Sequence, residues 1–322
     1  MDVTIILIFF RKDILIMKKF KLGTSDLEVP ALAVGCMRIA ELEETAATTF
    51  VQTALEHGAN FFDHADIYGA GECEKAFAKA IGMNATVREN IILQSKCGIR
   101  PNPMFDFSKE HILSSVDDIL SRLQTDYLDV LLLHRPDALM EPEAVAAAFD
   151  TLQSNGKVRN FGVSNQDQNT MLLLMKYLNQ PLVANQLQLS ITNATMISQP
   201  MNVNMEDALS YDHDNGVLNF CRLKDITIQA WSPFQYGFFE GVFIGSDKYP
   251  KLNAVLDKLA AKYDVSTTTI ALAWITRHPA NIMPVTGTTN ITRLKDCIKA
   301  TDITLTREEW YELYVSAGHR LP

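Results

Sequence analysis

The chain has 322 residues, 47% hydrophobic and 21% charged, with 15 Gly and 12 Pro, which is globular composition and excludes collagen-like, disordered and low-complexity classes. Its formal charge is −9 with no Lys/Arg run, which argues against nucleic acid as a partner and against stable membrane insertion through anionic lipid. Five cysteines, an odd number with no CxxC spacing, give neither a zinc site nor a disulfide framework, so the compartment is read as reducing and cytoplasmic, with each thiol packing in the core.

The first element in chain order is Val3–Phe10, eight apolar residues followed by Arg11-Lys12-Asp13. Eight residues cannot span roughly 30 Å of hydrocarbon, and neither a leading positive charge nor a small-residue cleavage site marks a signal peptide. Residues 1–16 are therefore read as a leader outside the working chain, with Met17-Lys18-Lys19 as its start; a short membrane-associating leader is the alternative. The remainder, 17–322, is read as one domain, since an α/β barrel takes roughly 250 residues as a single unit.

Short apolar runs then recur at Leu32–Gly35, Asn60–Asp63, Ile91–Ser95, Leu128–Leu133, Asn160–Val163, Leu182–Asn185, Thr227–Ala230 and Ile282–Val285. Glu43–Glu56, Glu72–Ile81, Lys109–Leu123, Glu143–Ser154 and Gln166–Tyr177 fill the first five gaps with helical periodicity. Continuous apolar strands alternating with amphipathic helices imply parallel strands buried on both faces. Eight of them match a closed (β/α)8 TIM barrel; an open doubly wound sheet is the alternative, because periodicity does not report closure. Ser108 is placed as a helix N-cap, Asn155-Gly156 as a helix stop, and Thr306–Glu309 as a capping box. Three connections, Cys97–Phe107, Ser190–Met205 and Pro233–Pro250, are too long to be plain turns and follow strand ends. Their apolar content (Phe105, Phe107, Met196, Met201, Met205, Phe234, Tyr236, Phe238, Phe239) is expected to wall a pocket.

The strand ends are polar in a way that core packing does not require: Asp63, Lys96, His134, Ser164-Asn165, Gln186 and Trp231-Ser232. Parallel topology sends them all to one mouth. A buried Asp63 needs a cation, and Lys96 one strand over is its expected partner. Tyr68, five residues after Asp63, lies near that ammonium, which is expected to lower its pKa toward general-acid range. Gly69-Ala70-Gly71 begins like a dinucleotide fingerprint, but Glu74 breaks the pattern and no P-loop occurs. Gly287-Thr288-Thr289, followed by Arg293, reads either as a phosphate-binding turn at a helix N-terminus or as a plain N-cap. No metal-ligand pattern is seen.

Taken in order, Asp63–Gly69, Lys96, Leu133–Asp137, Gly162–Asn165, Asn185-Gln186, Trp231–Pro233 and Gly287–Thr289 with Arg293 resemble the aldo-keto reductase superfamily from about Phe20 to Ala300, and among its branches the bacterial-type NADP-dependent oxidoreductases. The resemblance implies reduction of an aldehyde or ketone to an alcohol with NADPH. It implies that Tyr68 is the general acid, that Lys96 held by Asp63 depresses its pKa, and that His134 orients the carbonyl. It places Ser164, Asn165 and Gln186 on the carboxamide, Trp231 on the nicotinamide ring, and Ser232 with Pro233 on the pyrophosphate. Gly287, Thr288, Thr289 and Arg293 fall at the adenosine 2′-phosphate, with Asp296 nearby. Departures from the family pattern are His64 after the aspartate, Gln188-Leu189 after Asn-Gln, and Cys297 where an amide that reads adenine is common.

Two other functions fit the same residues. One is an NADPH-binding regulatory subunit of a larger assembly with little or no turnover. The other is a lyase with Lys96 as a Schiff base, which Asp63 opposes because such a lysine wants no charged neighbour. The expected partner is a small carbonyl substrate. Arg38 and Arg135 near the mouth fit either a carboxylate on that substrate or ordinary surface ion pairs.

Overall fold

The computed structural model describes residues 17–102 and 104–322, so the leader assigned to residues 1–16 lies outside the described residues. Eight parallel strands close into a barrel in strict chain order. They are β1 (Ala33–Gly35), β2 (Phe61–Asp63), β3 (Ile92–Cys97), β4 (Leu128–Leu133), β5 (Val158–Ser164), β6 (Leu182–Gln188), β7 (Thr227–Trp231) and β8 (Met283–Thr286). Closure is made by β8 on β1, with Val285 opposite Ala33 and Thr286 opposite Val34. This decides for the barrel over the open sheet.

Strand periodicity explains where each side chain goes. Phe61 and Asp63 face inward on β2, Ile92, Gln94 and Lys96 on β3, Val130 and Leu132 on β4. The apolar members of that set form one cluster inside the barrel with Val183, Ala184, Met283 and Val285. Their neighbours Phe62, Leu93, Leu131, Leu133, Phe161, Val163 and Ile228 belong instead to the large shell between barrel and helices. The alternation is therefore mostly apolar on both faces; inside the barrel the polar residues gather in the upper layers, and the outward exceptions Ser95, Asp129 and Asn185 are buried and bonded. Gly162 on β5 is required by close approach, because a Cβ there would lie 2.6 Å from the Ala184 carbonyl oxygen and 2.7 Å from Leu132 Cδ2.

The outer ring contains α1 (Glu44–Glu56), α2 (Glu72–Ile81), α3 (Lys109–Leu123), α4 (Pro142–Ser154), α5 (Gln168–Tyr177), α6 (Val217–Leu223), α7 (Thr267–Thr276) and α8 (Ile291–Lys299). Ser108 Oγ caps α3 by accepting from His111 N, and Thr306 and Glu309 form a reciprocal capping box on a further helix, Arg307–Ser316. That helix is clamped to α7: the Trp274 and Trp310 rings stack at 4.9 Å, and each indole N–H donates to the other's carbonyl oxygen.

An antiparallel hairpin, Lys19–Lys21 with Glu28–Pro30, closes the end of the barrel away from the strand C-termini. Leu22 and Val29 join the inner cluster, and Gly23 N donates to Thr227 Oγ1 at 2.8 Å. The barrel thus has one open end.

Two of the three long connections fold as small hairpins, Ile99–Arg100 with Met104–Phe105 and Gln235–Tyr236 with Gly241–Val242. The third contains the helix Thr195–Met201, whose Met196 and Ile197 pack into the shell. It therefore does not wall the mouth as expected, because its apolar residues serve the core.

Candidate active site

At the open end the inner side chains of β2, β3 and β4 meet. Lys96 is fully buried, and its Nζ donates to Asp63 Oδ2 at 2.7 Å, to the His64 carbonyl oxygen at 2.7 Å and to Tyr68 Oη at 3.3 Å. A lysine has three donors, so all three are committed in defined directions. Burial alone would push the Lys96 pKa down, but the Asp63 carboxylate outweighs it together with the tyrosine and holds the ammonium above its ordinary value.

Asp63 is also fixed from below by an amide raft that sequence reasoning missed. Gln94 Nε2 and Gln186 Nε2 both donate to Asp63 Oδ1, at 2.6 and 3.0 Å. Gln229 bridges the two glutamines, accepting from both on Oε1 and donating to Gln94 Oε1 at 2.8 Å. The signal was present in the sequence: Gln94 and Gln229 each interrupt an apolar run at an inward position.

Tyr68 sits at the cavity wall where the chain leaves β2. The backbone after it passes through three successive left-handed residues, Gly69 (φ 56°), Ala70 (φ 53°) and Gly71 (φ 90°). This tight return, and not phosphate binding, is what Gly69-Ala70-Gly71 is for. Glycine suits the first and last positions because they carry no Cβ penalty. The expected lowering of the Tyr68 pKa is overturned. Burial raises it above the ordinary 10, and the Lys96 ammonium offsets only part of that shift.

The His134 ring lies edge-on to Tyr68 with centroids 6.1 Å apart. Its Nδ1 is buried without a partner while the ring lines the cavity. Burial, followed by the Lys96 and Arg135 charges, holds its pKa well below the usual histidine range, so the ring is neutral.

These groups form the floor of a cavity of about 1000 Å³. Ser164, Asn165, Gln186, Trp231, Ser232, Pro233, Gly287, Thr288, Thr289 and Arg293 all line it, as does Cys297. Asp296 does not: it is outside the lining, and its carbonyl oxygen accepts from Thr269 Oγ1. Lys96 lies beneath the floor, outside the lining, and touches Tyr68 Oη from below. Of the apolar loop residues, Phe234, Phe238 and Phe239 line the cavity, whereas Phe107 is buried against Gly98 and Phe105 is exposed.

The cavity fits an elongated cofactor by its own features. Asn165 (φ 57°) and Ser232 (φ 50°), at the ends of β5 and β7, are non-glycine residues held in the left-handed region, a strain that clusters at binding sites. Asn165 Oδ1 accepts from Trp231 Nε1 at 3.1 Å, fixing the indole plane. Asn290 caps α8 by accepting from Arg293 N. The Gly287-Thr288-Thr289 turn lies at this helix N-terminus and lines the cavity beside Arg293; Thr288 Oγ1 accepts from Asn290 N at 3.1 Å, and Arg38 Nη2 donates to the Gly287 carbonyl at 2.6 Å. Such a terminus favours an anion. Among the described residues no cluster of His, Cys, Asp and Glu could hold a metal.

A model of the Aldo/keto reductase family matches residues 31–314. The chain belongs to that family. It is 36% identical to the uncharacterized oxidoreductase YcsN of Bacillus subtilis, over 92% of this chain and 97% of that one. It is 33% identical to a 6-dehydroglucose reductase of Novosphingobium aromaticivorans, over 94% and 96%. An aldo/keto reductase from Klebsiella pneumoniae, solved with NADP and acetate, superposes with a TM-score of 0.73 at 24% identity, covering 92% of this chain and 94% of that one. This aldo-keto reductase is an oxidoreductase with the (β/α)8 barrel of its relatives. Among its described residues no helix is long and apolar enough to cross a membrane.

Proposed function

We propose that this aldo-keto reductase reduces an aldehyde or ketone to an alcohol with NADPH, and that Tyr68 is its general acid. The observation that carries the reading is the Asp63–Lys96–Tyr68 chain of contacts opening, beside a neutral His134, into a cavity that runs on to the α8 N-terminus. NADPH supplies the hydride when bound. Ser164, Asn165 and Gln186 would hold its carboxamide and Trp231 its nicotinamide face. Thr288 and Arg293 at the α8 N-terminus would take a 2′-phosphate, favouring NADPH over NADH. The NADP bound by the Klebsiella neighbour and the 6-dehydroglucose reductase name of the Novosphingobium relative support the same assignment.

Tyr68 Oη is the proton donor to the carbonyl oxygen as negative charge develops there. Its raised pKa keeps the proton on in the resting site. The Lys96 ammonium 3.3 Å away stabilises the phenolate left behind, and Asp63 with the amide raft keeps that ammonium in place. Charge already held in place by buried partners needs no reorganisation during the reaction. Neutral His134 positions the carbonyl oxygen against the phenol without competing as an acid.

The test is NADPH oxidation over a panel of aldehydes and diketones, beside Tyr68→Phe, with NADPH binding followed by Trp231 fluorescence. Removing a general acid lowers the rate by about 10²–10⁴-fold, so the variant should retain NADPH binding and lose turnover. Tight NADPH binding without oxidation on any carbonyl would overturn the enzyme assignment, and absence of NADPH binding would overturn the cofactor site.

A further inference from the structure

Four charged side chains line the cavity, Arg38, Asp63, Arg135 and Arg293, and three are accounted for. Asp63 is paired with Lys96, Arg38 is bonded to the Gly287 carbonyl, and Arg293 stands at the α8 terminus. Arg135 is at the other end, immediately after His134, and close enough to Tyr68 for the phenol to act on it electrostatically. Among the described residues it has no ion pair and no hydrogen-bond acceptor. The nearest acid in the chain, Asp137, is spent on backbone amides, accepting from Phe107 N of the preceding βα connection and from Leu139 N of its own loop at 2.9 Å each.

The surroundings of that guanidinium are aromatic. It lies 5.4 Å from the Trp231 ring centre and 5.7 Å from that of Phe238, and it is half-buried. Five N–H donors in a fixed plane are thus desolvated on two sides and unpaired at the catalytic end of the cavity. An unpaired cation so placed wants an anion, and the planar fork matches a carboxylate with two parallel bonds. A doubly charged phosphate would give up more hydration against the same aromatic walls. The cavity is cation-rich in a chain of net charge −9, and a walled cleft focuses that local field on an entering anion.

We propose that Arg135 reads a carboxylate on the substrate, so that the preferred substrate is a carbonyl compound carrying a carboxylate group; the proposal rests on the reductase reading of the same site. Tyr68 and His134 receive the carbonyl oxygen while Arg135 holds the carboxylate, which fixes the carbonyl face relative to the nicotinamide side of the cavity.

The experiment compares 4-formylbenzoate with its methyl ester, a pair alike in shape and different in charge. It uses the wild type, Arg135→Met, which keeps the apolar stem over Trp231, and Arg135→Lys. Steady-state kinetics with NADPH give the acid-to-ester ratio of kcat/KM; calorimetric titration into the NADP⁺-loaded protein gives binding without turnover. The expected results are an acid preference of at least about tenfold in the wild type, its collapse in Arg135→Met by a similar factor, and partial recovery in Arg135→Lys. The loss should fall mainly in KM. Equal ratios in wild type and Arg135→Met, or equal binding of acid and ester, overturn the proposal. Turnover of the ester with no acid preference does so while leaving the reductase standing. Conversely, Arg135-dependent binding of the acid with no NADPH oxidation on either probe supports the carboxylate site and removes the reductase reading.

Discussion

Three residues beyond the ion-paired Asp63, a second carboxylate is held in a different setting. Asp66 Oδ1 is buried without a hydrogen-bond partner. Burial, reinforced by Glu74, raises its pKa from 3.8 to about 7. Glu74 keeps the available cation for itself, accepting from Arg122 Nε at 2.6 Å and from Ser95 Oγ at 2.8 Å. The sign of the consequence follows from linkage. A folded-state pKa above the unfolded value means that stability is fullest below about pH 4 and is lost as pH rises through about 7. Asp66→Asn escapes that loss. Its midpoint in urea should match the wild type near pH 4 and exceed it at pH 8 by the equivalent of about 2 to 4 kcal/mol. An unchanged difference across that range would refute the assignment. Tyr68 shows the same physics from the other side: the sequence places a lysine near it, but only depth of burial decides which way its proton equilibrium moves.

At the scale of strands, the barrel carries two buried ion pairs of equal length at opposite ends. Lys96–Asp63 and Arg88–Asp129 are each 2.7 Å, and all four side chains are buried. Lys96 spends a donor on a cavity hydroxyl; Arg88 spends its own on Thr125 Oγ1 and the carbonyls of Ile91 and Tyr127, tying the entry to β3 to the entry to β4. Arg88→Ala leaves Asp129 buried beside the Leu93 amide with no short ion pair except the 3.3 Å contact to exposed Arg159. Breaking a buried pair from one side costs about 3–5 kcal/mol. Chemical denaturation should show that loss, with KM for NADPH unaltered because Arg88 is far from the mouth.

The strands themselves were readable because parallel strands covered on both faces write continuous apolar runs, and Leu128–Leu133 is recovered residue for residue. Polar strand ends were readable for the same reason, as breaks in those runs. The mouth loops were not. Nothing in Met196 or Met201 distinguishes a residue facing a cavity from one facing the shell, and the hairpins at Ile99–Phe105 and Gln235–Val242 are too short to carry a period.

For the whole molecule, pH stability is a contest between groups of opposite sign. His64 is fully buried with both ring nitrogens unpartnered, packed edge-on to Phe77 at 4.6 Å, and burial followed by the Lys96 charge lowers its pKa from 6.5 to about 3. Burial also takes His278 to about 4, and His134 is displaced the same way. Bases with depressed folded-state values contribute stability that is present above pH 6.5 and lost as pH falls, at about 1.4 kcal/mol per pH unit for each group. Asp66 opposes them between about pH 4 and 7, and below about pH 4 only the histidine contributions remain. Thermal midpoints should therefore fall steeply below pH 6, and more gently in His64→Phe, which keeps a ring against Phe77. A His64→Phe profile parallel to the wild type would show that the imidazole is not the source.

Closure of β8 on β1 has a consequence in time. A chain made from its N-terminus has β1 early but must wait for nearly all of its synthesis before Val285 and Thr286 arrive to cover that edge. Until then the bottom hairpin also lacks Thr227, and the proposed phosphate-holding turn has not left the ribosome. A nascent or truncated chain is thus an open sheet with an unsatisfied edge, exposed to pairing with other chains. Under the proposed function it also lacks the turn that would hold the nucleotide, so the capacity to take up cofactor would mark a completed molecule.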